Sequence, residues 1–190
     1  MCFSLGASFG AGVNSRYYCR CCIAKAGTSP KRLFAVIPLL FSIQQFSEGL
    51  LWIALTDSSY AVWQQFSIHI FLLFAYVIWP VWIPLTILLL EKNRKRQTIL
   101  KFLLAAGIGV SLYISILLLL YPVHASVTEH HIQYKLNFPP VILHFTWLSD
   151  MFYFIAVIAA PFVSTVKKMW IVGFIIAISY LISKFYLTTL

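Results

Sequence analysis

Glu48 and Asp150 stand inside long apolar stretches of this chain. An ionisable side chain at membrane depth is costly and needs a physical reason to be there. Glu48 has polar company, since Gln44, Gln45 and Glu48 are spaced by three and four residues and share one helical stripe. Gly49, beside them, allows a neighbouring helix to approach closely. A later stretch holds His144, Thr146, Ser149 and Asp150, with Asp150 on one face with Thr146 and Tyr153. Between the two, Gln65, His69, Tyr76 and Pro80 follow one another at intervals of four, seven and four.

Carboxylates and imidazoles are the ligands that zinc or a similar ion would take, and they also relay protons. One expectation is a shared polar cavity built from Gln44, Gln45, Glu48, His69, Tyr76, His131, His144 and Asp150. Within it Glu48, His69, His131, His144 and Asp150 are the candidates for a divalent metal, the one cofactor this set suggests. The competing expectation has Glu48 neutral or bonded to Gln and Ser neighbours, with histidines that share no site. No His-Glu-x-x-His motif occurs, and the adjacent pair His130–His131 does not make a helical metal face.

The elements that must position these groups follow from composition. Of 190 residues, 61% are hydrophobic and 10% charged, against roughly half and a quarter in soluble domains. The chain reads as all-α, a single domain over 1–190 forming a polytopic transmembrane helix bundle of about six spans. The expected spans are residues 3–23, 33–55, 62–90, 99–121, 141–163 and 169–187. None alternates with period two, and each is too long for a barrel strand. The first is interrupted by Asn14, Arg16 and Arg20, so an interfacial arm is its alternative. It follows no basic region and precedes no small-residue cleavage site, which argues against a signal peptide.

The net charge of +9 lies in the gaps. Lys25, Lys31 and Arg32 follow the first span; Lys92, Arg94, Lys95 and Arg96 follow the third; Lys167 and Lys168 follow the fifth. Alternate loops are basic, and those loops face the cytoplasm. The expected location is a multi-pass position in a bacterial inner membrane, with both termini and all five histidines toward the outer side. The partner is the lipid bilayer and its anionic head groups, not nucleic acid. A membrane-protein partner or a second copy is also compatible. Cys19, Cys21 and Cys22 lack a second pair at metal-ligand spacing. Trp79-Pro80 and Pro84 could break a helix so that it lines a cavity. Ser47-Glu48 and Ser149-Asp150 hint at an inverted repeat of three spans.

The start Met1-Cys2-Phe3-Ser4, with Gln44-Gln45-Phe46-Ser47-Glu48-Gly49 in the second span, resembles an uncharacterised family of bacterial integral membrane proteins. Trp79-Pro80 and His131-Ile132-Gln133-Tyr134 look like further shared markers. The resemblance implies a seventh span, which this chain lacks after Leu190, and a histidine where Tyr76 stands. It implies architecture and candidate residues but no activity.

Three functions compete. Transport, or ion and proton handling through an outward-facing polar cavity, follows from acids on separate spans. A non-catalytic membrane component assembling with a partner needs no convergence of polar groups. A membrane-embedded metal-dependent hydrolase of a lipid-like substrate is loosely similar in composition to the seven-span alkaline ceramidases, but none of their motifs matches.

Overall fold

The computed structural model describes residues 5–25, 27–128 and 131–188, and the side chains at 5, 18–25, 140, 141, 143–146 and 182–188 lie outside that description. Helix dominates. The order is α1 (Leu5–Lys25), α2 (Ser29–Ala35), α3 (Ile37–Thr56), α4 (Gln64–Leu72), α5 (Trp79–Leu90) and α6 (Arg94–Leu120). Strands β1 (Val123–Thr128) and β2 (His131–Leu136) follow, then α7 (Pro140–Phe154), α8 (Ala160–Val163) and α9 (Met169–Thr188).

Three helical runs are long and apolar enough to cross a membrane: Ser29–Thr56, Ser58–Leu90 and Arg94–Leu120. Two shorter apolar runs, Trp147–Val163 and Met169–Leu181, fall below that length within the described side chains. The six spans expected from the sequence are therefore not supported as a count. Asn14, Arg16 and Arg20 dilute α1, while the two later runs are the described parts of longer helical stretches, residues 140–163 and Met169–Thr188.

Local chemistry sets the helix boundaries. Pro30 and Pro38 sit in the first turns of α2 and α3, where a missing N–H costs nothing. Asn93 caps α6 by accepting from the N–H groups of Lys95 and Arg96 at 3.0 and 3.4 Å. The α1–α3 contact is a fit of small residues against rings. A Cβ on Gly49 would lie 3.0 Å from the Phe9 ring, so glycine is what lets the two helices touch there.

The run from Ser58 to Leu90 is not one regular helix. Leu73–Ile78 winds as a π-helix, and so does Ile155–Ala159 between α7 and α8. Pro80 has no N–H to offer the Tyr76 carbonyl four residues back, and the wide turn stands just before it. Two side chains from other helices reach its carbonyls: Ser111 donates to Val77 O and Tyr153 to Ala75 O, each at 2.8 Å. Pro84 likewise deprives the Pro80 carbonyl of its donor. That carbonyl faces Gly107 of α6, where an added Cβ would overlap it.

The loop expected between residues 121 and 141 contains an antiparallel two-stranded hairpin, an element the all-α expectation omits. Val123 pairs with Leu136, Ala125 with Tyr134, and Val127 with Ile132. Val123, Ala125 and Ile132 are buried against Leu51, Trp52, Ile68, Phe71 and Leu72 at the α3–α4 end of the bundle. The alternate pairs His124 with Lys135 and Thr128 with His131 therefore occupy the opposite face of the ribbon. The hairpin is a lid over one end.

At the other end a second polar knot ties two turns together. The Glu91 carboxylate accepts from the N–H groups of Lys92 and Asn93 at 2.9 Å and from Thr165 N–H and hydroxyl at 2.6 Å. Arg96 donates to the Val163 carbonyl at 2.8 Å.

Candidate functional site

The polar stripe of α3 faces inward. Gln44, Gln45, Ser47 and Glu48 are all buried, and Glu48 is only 1% exposed. Gln44 Oε1 accepts from Trp79 Nε1 at 2.7 Å, which links α3 to the start of α5. Above the stripe lies Tyr134 of β2, whose ring stacks on Phe71 with centroids 5.1 Å apart and planes 1° from parallel.

Burial pushes the Tyr134 phenol well above the ordinary tyrosine range, and the charge of Glu48 pushes it further. On the neighbouring helices the Tyr76 and Tyr153 rings lie 6.2 Å apart. Tyr76, Ser149 and Asp150 line a cavity of about 160 Å³, closed by Ile114, Leu118, Leu136 and Phe138.

Three buried polar atoms under or beside the hairpin have no hydrogen-bond partner: Trp52 Nε1, Ser67 Oγ and Tyr134 OH. Orphaned groups of this kind cost about 1–3 kcal/mol each, and native structures keep them where they do something else. Trp52 lies one turn beyond Glu48 on the same stripe.

The expected site residues part company at this point. Gln44, Gln45 and Glu48 are buried together on α3, whereas Tyr76 and Asp150 line the small cavity, Asp150 itself being exposed. His69 lies elsewhere: it is exposed, its Nδ1 is 2.7 Å from Gln65 O, and it borders a separate groove with Phe66, Leu73 and Leu119. His131 occupies the outer face of the hairpin. The side chain of His144, like residue His130, lies outside the described residues. Among the described residues, no three His, Cys, Asp or Glu side chains gather as a metal would require.

Tyr134, Tyr153 and Tyr180 are the residues that sequence reasoning left out of the candidate set. The signal for Tyr134 was present in the period-two alternation of His131–Leu136. Tyr180 carried none, because no acid or histidine stands near it in α9.

A family model described as a family of unknown function (DUF6629) matches residues 1–188. No curated protein and no solved structure matches this chain.

Proposed function

We propose, for a chain that belongs to DUF6629, a family of unknown function, an integral membrane protein that handles protons or a small cation in a hairpin-covered polar chamber. Buried polar side chains stand inside a bundle whose exterior is broadly apolar. Ser42, Gln44, Gln45, Glu48, Ser67, Thr86, Ser111 and Ser149 are buried, while Phe102, Leu112, Ile116, Leu119, Phe174 and Ile175 are more than half exposed. A bilayer is the solvent that such a surface matches.

Orientation follows the basic residues. Lys92–Arg96 and Lys167–Lys168 belong to the two turns joined through Glu91 and Thr165, so the Glu91 end faces the cytoplasm and the hairpin faces outward. In this reading α1, α2–α3, the Ser58–Leu90 run, α6, α7–α8 and α9 all cross the bilayer, with α1 and α9 held at its edges by their neighbours.

The observation that carries the function is the Glu48 carboxylate, only 1% exposed on the inward polar stripe of α3 and near enough to Tyr134 of the hairpin to raise its phenol. Buried acids facing a bundle interior are what proton and cation pathways are made of. Hydroxyls between them offer a donor and an acceptor at each step. The test is flux: protein reconstituted into vesicles holding a pH-sensitive dye, under an imposed proton, sodium or potassium gradient. Wild type should dissipate one of these gradients, and Glu48→Gln should slow that flux by about tenfold or more. An equal rate in the variant, or no flux from wild type, overturns the proposal.

A further inference from the structure

A second hollow adjoins the chamber. Ala106, Gly109, Val110 and Tyr113 of α6 face Ile142, Leu148, Ser149 and Phe152 of α7 across an open groove of about 550 Å³. Small residues carve it: Ala106 and Gly109 leave a slot on α6, and a Cβ added at Gly109 would meet nothing within 4 Å. From Ala106 to Tyr113 the slot runs about 10 Å along the helix, and its volume falls within the roughly 300–1,000 Å³ of small-molecule sites. It is apolar along its length, and Phe152 on its rim is exposed.

Its inner wall adjoins the chamber. Ser149 lines both the groove and the small cavity of Tyr76, Phe138 and Asp150. A molecule lying in the slot and reaching past Ser149 would present one end to the Asp150 carboxylate beside Tyr76 and Phe138. That combination suits an ammonium group, through charge and through the ring faces. An apolar slot leading to such a pocket is complementary to one kind of occupant.

We infer that the groove and chamber together bind a single-chain amphiphile with a cationic ammonium head, the chain lying between α6 and α7 and the head against Asp150, Tyr76 and Phe138. This inference rests on the cation-handling reading of the chamber and names its ligand class. Entry is lateral, from the bilayer, since the slot is apolar and Phe152 on its rim is exposed.

A photoreactive probe decides it: a long-chain alkyl-trimethylammonium carrying a diazirine on the chain, in vesicles with the reconstituted protein, beside a hydroxyl-headed analogue of equal chain length. The cationic probe should label peptides containing Ala106–Tyr113 and Leu148–Phe152 about tenfold more than the neutral one. Gly109→Leu and, separately, Ala106→Leu fill the slot without touching the chamber and should abolish that excess. Equal labelling by the two probes, or labelling undiminished in both filled variants, overturns the inference. Small-cation flux in the same vesicles keeps the two readings apart. Flux retained with labelling lost from wild type would sink the amphiphile alone, whereas absence of flux from wild type would sink the chamber reading.

Discussion

Thr165 donates to the Glu91 carboxylate twice, through its N–H and its hydroxyl, each at 2.6 Å and across 74 residues of sequence. The two turns that carry Lys92–Arg96 and Lys167–Lys168 are thereby held side by side. Glu91 is only 3% exposed, so this is a clamp and not a solvated surface contact.

A pH dependence follows from the clamp. Burial by itself pushes the Glu91 carboxyl up, but hydrogen bonds from the Thr165 hydroxyl and from the Asn93, Thr165 and Lys92 backbone outweigh it and hold the group at about 2. A depressed folded-state value means stability fully present above the ordinary value of 4.5 and lost as pH falls toward about 2. Thermal unfolding in detergent should show the melting temperature declining over that window. Glu91→Gln should start lower at neutral pH and lose most of this decline. A wild-type melting temperature flat between pH 5 and pH 2 contradicts the clamp.

Gly107→Ala tests the close approach of α6 to Pro80. The added methyl would overlap the Pro80 carbonyl oxygen, and backbone cannot swing aside as a flexible side chain would. Destabilisation of about 3 kcal/mol is expected. Gly109→Ala, two residues on and facing open space, should leave the melting temperature within a degree or two. Similar losses in both would remove the α6–Pro80 contact as the cause.

The carbonyls of the Leu73–Ile78 π turn should be separable by mutation. Ser111→Ala frees Val77 O and Tyr153→Phe frees Ala75 O, each at a cost of about 1 kcal/mol. Because both hold one turn, the double variant should depart from the sum of the singles by about 0.5 kcal/mol or more. Strict additivity in a double-mutant cycle would show that the two hydrogen bonds act independently.

Tyr134→Phe should separate stability from function. Its hydroxyl is buried with no hydrogen-bond partner, while its ring stacks on Phe71. Removing the oxygen should leave the melting temperature unchanged or raise it, by up to about 1 kcal/mol of stability, and should lower flux in the vesicle assay. A marked fall in melting temperature assigns the hydroxyl a structural role.

Much of the scaffold was legible because hydrocarbon-length apolar runs are written plainly in residues 33–55, 62–90 and 99–121. The stripe of Gln44, Gln45 and Glu48 was legible for a similar reason, since polar residues at helical spacing in an apolar run must turn from lipid. The hairpin is hard to see in sequence although Val123–Thr128 alternates, because two six-residue strands give a far weaker signal than the apolar runs on either side. Once residues 131–136 form a strand, period two decides that His131 and Tyr134 take opposite faces. Glu91 was passed over because an acid among bases in a turn resembles a solvated charge. Its partner Thr165 is too far along the chain for spacing to reveal.

A π-helical turn holds one more residue than the α-helical turn it replaces, so it offsets the rotational phase of everything before it by about 100°. Deleting a single residue within Leu73–Ile78 would restore the ordinary pitch and rotate Ile68, Phe71 and Leu72 away from the hairpin they now support. The seating of the lid thus depends on one surplus amino acid, held in place by a serine and a tyrosine from two neighbouring helices.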